Sequence, residues 1–264
     1  MNLIASGKTD QGLVRANNED NFYLDEKLGL LVVADGMGGH ASGEIASKLA
    51  VNVIRDYFQG PQKLIGNPDP AYSESTNKLG CAIRLANQAV YEAAQSSPQL
   101  KGMGTTIVAL LLTGNKLSIA HIGDSRAYLI RGGLIDQLTD DHSMVNEQVK
   151  RDIITREEAA KSEMRNILTK ALGISAEMEA DLDELTVFSD DIFFLCSDGL
   201  NTMISDNDML KIVSAATSSV AACDALINAA NEKGGKDNVT VVIGYIKKKK
   251  WYAALFKFRE FFRR

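Results

Sequence analysis

Four apolar runs in this chain each meet an aspartate where the run gives way to a turn. LLVVAD ends on Asp35, SIAHIG is followed by Asp124, IFFLCS by Asp198, and DNVTVV opens on Asp237. Short runs of Val, Ile and Leu bounded by glycine and polar residues read as buried β-strands. An acid at one such end can simply cap the next turn. Four acids at ends that a layered sheet structure could gather would instead repel one another and raise their own pKa values. Asp35 and Asp198 are each followed by glycine, which lets a backbone carbonyl approach a ligand closely.

The rest of the pattern fills in the layers. Strand-like runs lie at 21–25, 30–35, 105–112, 117–122, 126–130, 191–196 and 238–246. The runs across 105–138 follow one another through short turns at Gly114-Asn115, Gly123 and Gly132-Gly133, which predicts an antiparallel meander rather than βαβ units. Helical spacing over 42–58 puts Ile45, Leu49, Val53 and Tyr57 on one face, and over 75–94 it aligns Leu79, Ile83, Ala86 and Val90. Shorter helices are expected at 208–216 and 220–231. Residues 142–170 are polar and helix-like without a strand, as in a mobile flap beside a site. The expected fold class is α+β, with one domain over 1–246 and a separate tail over 247–264.

Composition narrows the function. The 264 residues are 45% hydrophobic, enough for a sizeable core. Cys81, Cys196 and Cys223 are far apart and form no CxxC pair, so a disulfide framework and a thiolate zinc site are not indicated, and reduced cytoplasmic thiols are expected. The start lacks the basic head and long apolar run of a signal peptide. Apolar runs such as 107–112 are far short of the roughly 20 residues a membrane span needs. Residues 247–264 hold eight basic residues and one acid, which leaves the other 246 at −12 when the whole chain is −5. A body that acidic argues against nucleic acid as a partner.

Clustered carboxylates without histidine or thiolate select hard divalent cations, Mg²⁺ or Mn²⁺, over zinc. His40, His121 and His142 have no HxxxH spacing. A pair of such ions can clamp a phosphoryl group and activate water. Arg15 in GLVRANNED offers a two-pronged guanidinium to phosphate, and Glu19 and Asp20 follow four and five residues later, where they could orient metal-bound waters.

The motifs RANNED (15–20), DGMGGH (35–40), GMGTT (102–106), GDSRAYL (123–129), DDHS (140–143), SDGL (197–200) and GGKDNVTVV (234–242) occur in that order. Together they resemble the metal-dependent protein phosphatases, the PPM or type 2C serine/threonine class, in compact bacterial form. The resemblance implies a four-layer αββα sandwich with two central antiparallel sheets flanked by helices. It implies hydrolysis of phosphoserine and phosphothreonine by a hydroxide bridging two Mn²⁺ or Mg²⁺ ions, with no covalent intermediate. Carried over, Asp35 bridges both ions, the Gly36 carbonyl binds the second, and Asp198 and Asp237 hold the first. Glu19 and Asp20 act through water, Arg15 grips the phosphate, Asp124 holds a third ion, and Asn238 supports the ligands from behind. Where animal members have histidine after the DG pair, this chain has Met37, whose thioether cannot donate a proton. His40 is a weak candidate, and the general acid stays unassigned. A serine/threonine kinase and its substrates are the partners the family implies.

Other phosphatase chemistries fail on motif. No cysteine has arginine six residues later, as C-x₅-R requires, and 181–185 departs from D-x-D-x-[TV], reading instead as a solvated stretch. The glycines of 38–43 lead to Glu44 where a P-loop needs lysine. The rival from another class is a phosphoprotein-binding module that has kept the fold and lost catalysis. Such a chain should have lost metal ligands, whereas every matched acid is present. The tail KKKKWYAALFKFREFFRR, taken as a helix, aligns Trp251, Leu255, Phe258 and Phe262 against a basic face. That pattern fits peripheral contact with the inner membrane face, and equally a helix docked on a partner or on the acidic body.

Overall fold

Two antiparallel sheets are stacked face to face, with helices on both outer surfaces, in a computed structural model that describes residues 1–38 and 42–248. The strands are β1 (Asn2–Asp10), β2 (Asp20–Asp25), β3 (Leu30–Met37), β4 (Gly104–Thr105), β5 (Ile107–Thr113), β6 (Lys116–Ile122), β7 (Arg126–Arg131), β8 (Leu134–Gln137), β9 (Asp181–Thr186), β10 (Ile192–Cys196) and β11 (Val239–Lys247). The first sheet runs β1-β11-β10-β7-β8 and the second β2-β3-β5-β6-β9, with β4 paired to β3. The helices are α1 (Ser42–Gln59), α2 (Glu74–Ser96), α3 (Met144–Lys150), α4 (Arg156–Lys161), α5 (Asp198–Asn201), α6 (Asp206–Ala215) and α7 (Ser219–Glu232).

Three apolar layers hold this stack. Leu31, Val33, Val108 and Leu110 of the second sheet meet Leu129, Phe193, Leu195 and Val242 of the first. Leu30, Val32, Ile107 and Ala109, on the other face of the second sheet, meet α1 and α2 through Ile54, Leu79, Ile83 and Val90. Tyr128, Phe194, Val241 and Ile243 meet α6 and α7 through Met209, Val213, Leu226 and Ile227. Period-2 alternation sends consecutive residues of β3 into different layers, which is why its run is apolar throughout. The expected αββα sandwich is the observed one.

Several local expectations are corrected. The strands of 105–138 do not form one meander: β5 pairs β6 in one sheet, β7 pairs β8 in the other, and the chain changes sheets at Gly123-Asp124. Gly123, at φ +102°, supplies the backbone freedom that crossing needs. The core stripe of α1 is Ala46, Ala50, Ile54 and Phe58, one position on from the expected one, and Ile45 is exposed. The stripe of α2 is as expected. Residues 181–185 form β9 rather than a solvated stretch; Leu182 packs toward α2 and Leu185 between the sheets, while Asp181 and Asp183 stay exposed. The run at 105–112 is split at Thr106, whose hydroxyl accepts from the Asp35 N–H (3.0 Å) and whose N–H donates to the Asp35 carbonyl (2.8 Å). Edge strand β1 was not anticipated. The flap region carries α3 and α4, bridged at its root by Ser143 and Leu168.

Candidate metal and phosphate site

One end of the sandwich opens into a cleft of about 470 Å³ lined by Arg15, Glu19, Asp35, Gly36, Met37, Asp124, Asp198, Asp237 and Asn238, with Asn166 and Leu168 of the flap on its far wall. Each acid arrives from a different element. Asp35 lies inside β3, two residues short of its end, directly opposite Asp20 of β2. Asp124 sits on the turn that changes sheets. Asp198 begins α5 immediately after β10, and Asp237 lies two residues ahead of β11.

Asp20 lies beneath the cleft. Its Oδ2 accepts from Ser197 Oγ and Thr240 Oγ1, both at 2.7 Å, so this carboxylate ties the second sheet to the first. Its Oδ1 is buried without a hydrogen-bond partner, a costly arrangement for an acceptor. Asn238 is a buttress: its side chain accepts from the Glu19 N–H (2.8 Å) and donates to the Gln11 and Asn17 carbonyls (both 2.9 Å). The Glu19 carbonyl accepts from Ser47 Oγ and the Gly36 N–H. A Cβ on Gly36 would collide with the carbonyls of Gly43 and Glu19, so glycine here permits the helix α1 to approach.

The acids carry the cost of crowding. Burial first, then Asp198 and Asp237, pushes the Asp20 carboxyl up to about 7 despite its two hydroxyl donors. Burial and then Asp198 and Asp141 push Asp124 to about 8. Burial and Asp237 push Asp198 to about 6, against the pull of Arg15. Asp35 is driven well above the carboxylate range by burial and then by Asp20, Asp198, Asp124 and Asp237. Arg15 Nη2 donates to Asp237 Oδ2 at 2.6 Å, and the Arg15 side chain is about half exposed. An all-oxygen donor set, an orphaned buried carboxylate oxygen and raised acid pKa values together fit hard divalent cations.

The structure therefore gathers Arg15, Glu19, Asp35, Gly36, Asp124, Asp198, Asp237 and Asn238 around one cleft, with Asp20 underneath. His40 lies outside the described residues. Sequence spacing missed that Asp20 is held by Ser197 and Thr240, residues 177 and 220 positions away. It also missed that His121 and His142 come together beside Asp181. Arg126 makes a two-pronged pair with Asp141 (2.6 Å at its shortest), fastening the flap root to β7.

The family model for protein phosphatase 2C matches residues 14–239. A Listeria innocua serine/threonine phosphatase, stp, is 36% identical over 242 residues, covering 90% of this chain and 94% of that protein. The Mycobacterium tuberculosis serine/threonine phosphatase PstP/Ppp superposes with a TM-score of 0.85 at 38% identity, covering 94% of this chain and all of that one. The catalytic domain of PstP, solved with two manganese ions, superposes at 0.82 with 37% identity, covering 94% and 99%.

Proposed function

The chain belongs to the protein phosphatase 2C family, and from that membership we propose how its cleft works as a serine/threonine protein phosphatase. The observation that carries the reading is the convergence of Arg15 and the acids on one cleft over the orphaned Asp20 oxygen. Asp35 and the Gly36 carbonyl, with Asp198 and Asp237, hold two Mn²⁺ or Mg²⁺ ions, and Asp124 holds a third. When bound, the ions supply positive charge to the phosphoryl oxygens and lower the pKa of water. Glu19 and Asp20 orient waters, and Asn238 keeps the Glu19 and Asp237 loops in register. Water attacks phosphorus directly: its oxygen bonds to phosphorus, the serine or threonine ester bond breaks, and the alkoxide leaves with a proton. No cysteine lines the cleft, and all three are buried elsewhere, which supports direct attack over a thiol-phosphate route. The general acid is unassigned.

The reading is tested by phosphate release from phosphoserine and phosphothreonine peptides, dependent on Mn²⁺ and abolished by EDTA. A folded preparation that binds phosphopeptides without metal-dependent turnover would favour the binding module. Arg15→Lys is expected to raise KM for phosphopeptides roughly 5- to 10-fold with kcat within about threefold, because lysine keeps the charge and loses the fork. An unchanged KM would remove Arg15 from the phosphate.

The catalytic body is assigned to 1–246 and a basic tail to 247–264. Among the described residues no helix is long and apolar enough to cross a membrane. Residues 249–264 lie outside the described part, and the basic, aromatic composition of the tail supports peripheral attachment of a cytoplasmic enzyme to an anionic leaflet; a serine/threonine kinase and its substrates are the partners that family membership implies. Sedimentation with anionic vesicles at low salt should carry down full-length protein and leave a chain ending at Ile246 in the supernatant. Full-length protein left in the supernatant would overturn the membrane assignment.

A further inference from the structure

Two of the three histidines have no part in the cleft chemistry, yet they lie directly behind it. His121 of β6 and His142 at the flap root stack with ring centroids 4.8 Å apart and planes 9° apart. With Asp181 of β9 they bring three donor groups within 4.8 Å of one another. Two histidines and an aspartate suggest a zinc site, but the hydrogen bonds argue otherwise. The Gly123 N–H donates to His142 Nδ1 at 3.1 Å. An amide can only donate there, so Nδ1 presents its lone pair and the neutral ring carries its hydrogen on Nε2. Nε2 lies 3.2 Å from Asp181 Oδ2, close enough for the carboxylate charge to attract its hydrogen, although the N–H is not aligned as a hydrogen bond. A ligating histidine donates its other N–H to a supporting acceptor; here the other nitrogen accepts, so Nε2 keeps its hydrogen and is no ligand.

The same contacts describe a different device. The His142 N–H donates to the Gly123 carbonyl at 3.0 Å, while its ring accepts from the Gly123 N–H. One residue thus holds both polar groups of Gly123, the glycine of the sheet-changing turn, and Asp124 is next in the chain. The His142 carbonyl in turn accepts from the Thr169 N–H at 2.8 Å. Asp181 is anchored by Lys170 Nζ at 2.7 Å on Oδ1, which leaves Oδ2 for His142. Partial burial opposes ionisation of Asp181, but the Lys170 hydrogen bond and the nearby His142 keep its pKa below the usual value. His142 is buried, and stacking on His121 limits rotation of its ring.

We propose that Asp181 and His142 are a positioning pair: Asp181 holds the Nε2–H tautomer of His142, whose Nδ1 fixes Gly123 and with it the carboxylate of Asp124 in the cleft. The kinetic consequence rests on the phosphatase reading; the tautomer does not. A long-range ¹H–¹⁵N spectrum of the full-length protein should show His142 with a bare Nδ1 and a protonated Nε2, and an Nδ1–H signature would overturn the proposal. On a phosphothreonine peptide at saturating Mn²⁺, His142→Ala and Asp181→Ala should each lower kcat roughly 10-fold, the scale of losing an outer partner of a site, with KM within about twofold. His142→Asn, which keeps an acceptor for the Gly123 N–H, and Asp181→Asn, which keeps an oxygen facing Nε2–H, should each recover to within about threefold of wild type. The double alanine variant should be no worse than His142→Ala alone, because both act through one contact. Losses that multiply, or conservative variants no better than alanine, would overturn the pair. If His142→Ala does not fold, Asp181→Ala decides alone, and an unchanged kcat overturns the proposal. An inactive wild type with the expected tautomer would sink the phosphatase reading and leave the assignment of the hydrogen standing.

Discussion

Asp198→Ala and Asp237→Ala are each expected to lower kcat/KM on phosphothreonine peptides about 10³-fold or more, well beyond the 10- to 100-fold that removal of a ligand's outer partner costs. Both side chains line the cleft, and neither contributes to the apolar layers. The Asp198 carbonyl accepts from the Thr202 N–H at 3.0 Å, a backbone contact that alanine can also make, so the turn into α5 should survive. Removing either carboxylate also relieves its neighbours, since Asp237 raises the Asp198 pKa and both raise that of Asp20. The metal-free variants should therefore melt no lower than metal-free wild type. Activity within a few-fold of wild type at saturating Mn²⁺ would sink the ligand assignment, and a collapsed far-UV spectrum would mean the acids are structural.

Metal-free protein is expected to melt at lower temperature as pH rises from 6.5 to 8.5, and Mn²⁺ to reverse that order. The folded-state carboxyls of Asp20 and Asp124 are raised to about 7 and about 8, against roughly 3.9 for an unfolded aspartate. A raised pKa contributes stability that is fully present below the unfolded value and is lost as pH climbs through the folded one. Groups shifted the other way act elsewhere or weakly: Glu184, held near 2 by Lys116 and Ser73, loses its contribution only in acid, and the lowered His142 adds a small opposing rise that is spent once the unfolded imidazole has lost its proton, by about pH 7.5. Metal needs the ionised ligands, so its contribution grows over the same interval. At 100 times Kd it adds about 2.7 kcal/mol, or roughly 5–10 °C for a chain of this size. Calorimetry in EDTA and in Mn²⁺ at both pH values checks the sign; a metal-free melting temperature that rises toward pH 8.5 contradicts it.

Asp35, Asp124, Asp198 and Asp237 could be found from sequence because each ends, follows or opens an apolar run of five or six residues, whereas Asp20 was reached only through its place after Arg15 and the family resemblance. What stayed hidden depends on partners distant in the chain or on strands with one wet face. Strand β1 mixes Lys8, Thr9 and Asp10 with Leu3 and Ile4, and only Leu3 is buried, so no alternation announces it although it pairs along all of β11. In β9, Leu182 and Leu185 face different layers while Asp181 and Asp183 are wet, a pattern indistinguishable locally from a loop. The α1 stripe was displaced because Ala46 and Ala50, small enough to admit the sheet closely, outrank Ile45 in burial. A turn such as Gly123-Asp124 looks the same in sequence whether the next strand joins the same sheet or the opposite one. The pairing of His121 with His142 depends on that crossing and was equally hidden.

Strand β11 has Asp237 and Asn238 just ahead of its first residue and Lys247 as its last, where it pairs with Asn2. Nine residues of strand measure about 30 Å, so the mouth of the cleft and the root of the tail are at opposite poles of the first sheet. Whatever residues 249–264 engage, the tether is fastened at the back of the enzyme. A protein fused after Lys248, or a surface that captures the molecule there, is attached at the pole away from the cleft, about the length of the strand from its mouth.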